Sequence, residues 1–209
     1  MPPLPGTLRA LTLAAAAVCL AALAVLAVRT FAFGRRRYLS APRGSVGRGL
    51  AYAFGRGMVD KESVARHKPT FIGGMAYHGA IFAGLLYLLW TALAVRPSPP
   101  LWAFRPVLLG GTAIGLALLV KRAAKPHLRR LSCPDDFFAN LFVDAFLALA
   151  LLHTFVPAIE PVFLGVSILL LLYIPLGKIR HCVFFFVTRT VFGRHFGRRG
   201  ALPGSSSEA

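Results

Sequence analysis

Acidic side chains are scarce in this chain, with seven Asp and Glu against 24 Lys and Arg in 209 residues, a formal net charge of +17. Cysteine is scarcer still. Cys19, Cys133 and Cys182 are scattered singletons without CxxC or CxxCH spacing, so the sequence indicates neither an iron–sulfur centre nor a covalently attached haem. Helices interrupted by charge near a membrane midplane are also missing, which argues against a transporter. No internal repeat stands out. An excess of base on this scale would point a soluble chain toward nucleic acid. Here the basic residues crowd between apolar runs, so nucleic acid is not the expected partner.

What the chain does have is apolar length. It is 56% hydrophobic, and several uninterrupted apolar runs place it among integral membrane proteins. Five membrane helices are expected, at about 8–33, 71–95, 102–120, 137–156 and 161–187. The first is too long for a secretory signal, with only Arg9 before it and GRRR after it. It carries no buried ionisable group and is read as structural packing. A basic loop at 34–70 follows, with a short helix near Asp60 to His67. RPSPP and VPAIEP form short turns, and KRAAKPHLRR is a dense positive block. Asp135 and Asp136, after a proline, suit the start of the fourth helix. The segments after helices one, three and five are heavily basic, whereas those after two and four carry almost no basic charge. The positive-inside rule then puts the N-terminus outside and the C-terminus in the cytoplasm. The expectation is an all-α, five-transmembrane-helix bundle forming one domain over 1–196, multi-pass in the cell inner (cytoplasmic) membrane, with a disordered tail at 197–209.

Two histidines sit inside apolar runs at similar expected depth, His78 in the second helix and His181 in the fifth. Each has a glycine four residues earlier, Gly74 and Gly177, over which a flat macrocycle can approach the backbone. An imidazole in hydrocarbon needs a partner, and two facing imidazoles suit the two axial positions of one non-covalent haem b. The alternative is that each bonds a polar neighbour and the glycines let helices pack closely. His153, near the end of the fourth helix, has no opposing histidine. It is read as an interfacial residue, or as a proton acceptor for a quinol with Glu160 nearby. His67, His127 and His195 fall in basic segments and are read as exposed.

The sequence YIPLGKIRH resembles the last-helix pattern of the respiratory nitrate reductase gamma family of membrane cytochromes b. AYHGAIFAGLLYLL resembles that family's histidine-bearing second helix, and that of the related membrane subunits of heterodisulfide-reductase-like and sulfite-reduction-associated complexes. The likeness covers nearly the whole chain. It implies electron transfer between membrane quinone and a partner subunit carrying iron–sulfur clusters on the cytoplasmic side. By position, His78 and His181 match the pair holding the haem nearer the cytoplasm. The ligand positions of a second, outer haem hold Leu88 and Phe163, so one haem is expected. Lys178, Arg180 and Arg189 are candidates for compensating haem propionates, though a positive-inside flank reads the same way. The basic segments are expected to meet membrane lipid and the cytoplasmic partner, and the long first loop to touch that partner. The rival function is a non-redox anchor that recruits a soluble partner and binds no cofactor.

Overall fold

The computed structural model of the chain describes residues 4–33 and 41–203. Within them the regular structure is helical: α1 (Leu4–Phe33), α2 (Val46–Phe54), α3 (Glu62–Arg66), α4 (Lys68–Ala92), α5 (Leu101–Ala124), α6 (Pro126–Leu131), α7 (Pro134–His153), α8 (Glu160–Tyr173) and α9 (His181–Arg198). Four of them, α1, α4, α5 and α7, are long and apolar enough to cross a membrane, and α8 with α9 adds a fifth if the two pieces count as one span. The GRRR cluster at 34–37 and the tail beyond 203 lie outside the described residues.

The fifth helix, expected as one run over 161–187, is two. Pro175 has no N–H to donate and disfavours helical continuation from the residue before it. α8 therefore stops at Tyr173, whose carbonyl takes the N–H groups of Leu176 (3.0 Å) and Gly177 (2.8 Å) in a turn. A short 3₁₀ segment, Lys178–Arg180, leads into α9. The fourth helix begins earlier than expected because Pro134 occupies its first turn and Asp136 closes a capping box, taking the Cys133 N–H at 2.9 Å.

Where the sequence suggests one domain, the chain forms two compact units: Met1–Ala21 with Thr70–Ile179, and Ala22–Pro69 with Arg180–Ala209. The first carries large apolar side chains on its outside as well as in its core. Phe82 is 69% exposed and Trp102 82%, although Leu108, Phe146, Leu147, Phe163 and Leu164 are fully buried, and small and polar residues share the interior with them. Gly84 lies against Phe146 and Leu147, Gly111 against Ala80, and Gly115 against Asp144 and Tyr77. Apolar side chains that face lipid cost nothing there, so close helix approach and internal hydrogen bonds hold the bundle.

The second unit gives the basic loop its own structure. Ser45 caps α2, its hydroxyl accepting the Arg48 N–H at 3.3 Å. Arg43 and Gly44 donate their N–H groups to the Arg198 carbonyl at 2.9 and 3.0 Å. α2 and α9 then meet through Gly49 and Ala53 on one helix and Gly193 and Gly197 on the other. A methyl group added at Gly197 would lie 2.7 Å from the Gly49 Cα, and one at Gly193 would lie 2.9 Å from the Leu50 Cα. Phe54 stacks on Phe186 at 6.2 Å, and Arg189 reaches the Gly57 carbonyl at 3.4 Å.

Candidate functional site

The polar residues of the first unit collect in two places. At one end, where α7 gives way to α8, Glu160 opens α8, so its carboxylate lies at the positive end of that helix dipole. Arg9 of α1 grips it with both arms of the guanidinium, Nε at 2.7 Å and Nη2 at 2.9 Å. This bidentate fork is the strong form of the ion pair. His153, the last residue of α7, is 8% exposed, with Nε2 4.0 Å from Glu160. Its Nδ1 lies 2.9 Å from the Tyr87 hydroxyl on α4. Phe163 stacks on the imidazole at 5.3 Å. The nearby α7 terminus is closed by Arg105, which donates to the Thr154 carbonyl at 2.6 Å and lies 4.1 Å over the Phe155 ring.

These groups border a cleft of about 390 Å³, lined by Arg9, Tyr87, Thr91, His153, Thr154 and Glu160 and bounded by the turn between α4 and α5. One assignment lets every donor donate: the tyrosine hydroxyl to Nδ1, and Nε2–H toward the carboxylate. The arrangement is an acid–base chain of hydroxyl, imidazole and carboxylate, with the arginine fixing the charge of the last member. His153 and Glu160, expected near one another, are brought together here. His153, near the end of α7, is buried within the protein by α4 and α8. α1 is corrected: it carries Arg9 into the site and is more than packing.

The second cluster is Asp144, 2% exposed within α7. It accepts the Tyr77 hydroxyl at 2.5 Å and the Asn140 amide at 2.9 Å. Gly115 of α5 gives the carboxylate room to lie against the backbone, so one side chain ties α4, α5 and α7 together. Asp144, Tyr87 and Arg9 were not singled out from sequence as site residues. The available signal for Asp144 was a lone carboxylate in an apolar run, which marks a functional or structural polar centre in a membrane helix.

The proposed iron ligands lie in different compact units and are described separately. His78 is exposed on α4, its Nδ1 2.7 Å from the Gly74 carbonyl. A carbonyl only accepts, so Nδ1 carries the hydrogen and Nε2 carries the lone pair that a metal needs. No heavy atom lies within 4 Å of a methyl group placed on Gly74. His78 and Gly74 thus fit an axial ligand beside an open approach to the backbone. His181 is the first residue of α9 and is also exposed. Its expected clearing at Gly177 is absent, because the turn after Tyr173 folds that ring onto Gly177. Gly177 is outside any helix, so four-residue helical spacing does not join it to His181.

Of the propionate candidates, Lys178 donates from Nζ to Asp136 at 2.7 Å and from its backbone N–H to Asp135 at 2.9 Å. Asp135 also accepts the Tyr173 hydroxyl. Arg180 is exposed beside His181. Arg189, besides reaching Gly57, lies 5.7 Å over the Phe185 ring. Leu88 and Phe163, where a second haem's ligands would fall, are buried apolar residues. Among the described residues no group of three or more His, Cys, Asp or Glu is placed to hold a metal ion. Comparison with protein-family models, curated proteins and solved structures gives no match to this chain.

Proposed function

We propose that this chain is a multi-pass subunit of the cell inner membrane, N-terminus outside and C-terminus cytoplasmic, of the membrane cytochrome b kind. In this reading it passes electrons between quinone or quinol and a cytoplasmic iron–sulfur partner through one haem b bound by His78 and His181. The observation that carries the reading is the Tyr87–His153–Glu160–Arg9 chain, buried at Tyr87 and His153 and part-buried at the ion pair, beside the cleft. A quinol must lose hydroxyl protons as it gives up electrons, and a neutral imidazole is suited to take one. The Tyr87 hydroxyl accepts the quinol O–H and passes its own proton to His153 Nδ1. The resulting imidazolium faces Glu160, whose negative charge Arg9 holds in place. The haem supplies the one-electron chemistry. The tautomer set by Gly74 supports His78 as a ligand, and the exposed basic segments support a cytoplasmic docking side.

Pyridine haemochrome titration of the purified protein tests this reading. The expected ratio is one haem per chain, lost in His78→Ala and in His181→Ala. His153→Ala is expected to keep the haem and to slow quinol oxidation. A colourless protein after haem-replete expression would overturn the reading in favour of a non-redox anchor. A ratio near two would mean that other residues are the ligands.

A further inference from the structure

A second concavity, distinct from the cleft at His153, runs between α5, α6 and α7. It measures about 700 Å³, within the range of about 300–1,000 Å³ usual for small-molecule sites. Its floor and walls are Leu119, Ala123, Phe137, Phe138 and Leu141, and the polar side chains at its edge are Arg129 and Ser132. Phe138 is 66% exposed, so the trough opens on the lipid-facing side of the bundle. Leu131 at the end of α6 projects outward, 84% exposed. α6 is therefore a short basic helix with an apolar anchor, as found at membrane interfaces.

The charges around the trough are unevenly matched. Asp136 already holds Lys178 at 2.7 Å and Arg122 at 3.3 Å. Among the described residues Arg129 makes no ion pair with a carboxylate. Ser132 commits its hydroxyl hydrogen to the Leu128 carbonyl at 2.8 Å, which leaves Arg129 as the side-chain donor at the edge. An apolar trough with one cation at its rim is complementary to a hydrocarbon chain that ends in an anion. A guanidinium suits phosphate in particular, offering several N–H groups in one plane. An uncharged quinone tail would fill the walls and leave Arg129 unanswered.

We propose that the trough between α5, α6 and α7 binds one anionic phospholipid, its phosphate at Arg129 and an acyl chain along Phe137, Phe138 and Leu141. The site is independent of the cleft at His153 and of any haem, so it stands or falls separately from the function proposed above. Its effect is to fix the α5–α6–α7 corner against the bilayer, where Lys121 to Arg130 concentrate positive charge.

Native mass spectrometry of the full chain in detergent, titrated with phosphatidylglycerol or phosphatidylcholine of the same acyl composition, tests the proposal. One phosphatidylglycerol is expected to be retained in preference to phosphatidylcholine. Arg129→Gln should weaken its binding about fivefold, the effect of one basic residue near an anionic lipid surface, and Arg129→Lys should restore most of it. Ala123→Trp, which fills the trough from its exposed wall, should reduce retention of both lipids. Equal retention of the two lipids by the wild type, or an Arg129→Gln variant that binds phosphatidylglycerol normally, would overturn the proposal. So would retention of a quinone in place of lipid. Circular dichroism and gel filtration of each variant separate loss of binding from loss of fold.

Discussion

Both compact units bring helices close at glycines, but they differ in what else crosses between the helices. In the first, helices are joined by buried polar side chains: Asp144 with Tyr77 and Asn140, and Glu160 with Arg9 beside His153 and Tyr87. In the second, α2 and α9 touch backbone to backbone through Gly49, Gly193 and Gly197. The first arrangement places titratable groups inside an apolar bundle, where they have chemistry to offer. The second has a seam at Gly49, Gly193 and Gly197 that tolerates no added atom. The difference teaches where to look for function: the glycine seam is packing, and the polar seams are candidates for work.

The largest expected effect comes from breaking the glycine seam. Gly49→Val would push a branched side chain into the backbone of α9, which cannot swing aside as a side chain can. Overpacking ordinarily costs about 1–3 kcal/mol, and this contact should lie at or above the top of that range. Limited proteolysis should then cut within residues 55–61. An unchanged protease pattern would show that the seam does not hold the pair.

Asp144→Leu is the next largest. It leaves the Tyr77 hydroxyl without its acceptor, at about 1–3 kcal/mol for an unsatisfied group, and leaves the Asn140 amide only the longer contacts to the Gly115 carbonyl and the Tyr77 hydroxyl at 3.5 Å. Asp144→Asn should cost less because an amide oxygen still accepts from Tyr77. Thermal melts of both variants in one detergent would separate the two. Equal losses would mean that charge, and not the hydrogen-bond count, makes the clamp.

Arg9→Met should cost about 1–3 kcal/mol, because it strips Glu160 of a charged donor in a part-buried site. Arg9→Met combined with Glu160→Gln should be less damaging than Arg9→Met alone, since no orphan carboxylate is left. A double-mutant cycle on melting temperature reads this directly, and additive losses would show that the pair is not coupled. Tyr87→Phe is the smallest, about 0.5–1.5 kcal/mol for one hydrogen bond. Under the function proposed above, its sharper readout is quinol oxidation, which should slow while haem content stays the same.

The sequence located the helices well wherever apolar length was unambiguous, and α4, α5 and α7 fall within a few residues of their expected places. It missed the division at Tyr173 because an apolar run was read through Pro175, although a proline at that position removes a helical hydrogen bond. In the basic loop it anticipated the short helix near Asp60 to His67, which is α3, but missed α2. That loop was expected to serve a cytoplasmic partner, yet α2 within it packs along α9, so deleting Gly44 to Gly57 would remove a structural element as well as a contact surface. His153 and Glu160 were legible as possible neighbours from the short turn between them. Arg9 was not, because it stands 151 residues away in sequence from the glutamate it holds.

Apolar runs of 20 residues or more fix by themselves that this is an all-helical chain with helices able to cross a membrane, since only a helix satisfies its own backbone in hydrocarbon. The positions of prolines and glycines likewise set where helices stop and where they can touch. Which polar residues meet was decided only by tertiary structure. A side chain in a membrane helix finds its partner across the bundle, and the partner's number carries no trace of that distance. So Arg9 reached Glu160, Tyr87 reached His153, and Tyr77 reached Asp144, because helix packing brought residues of α1 and α4 to partners on α8 and α7.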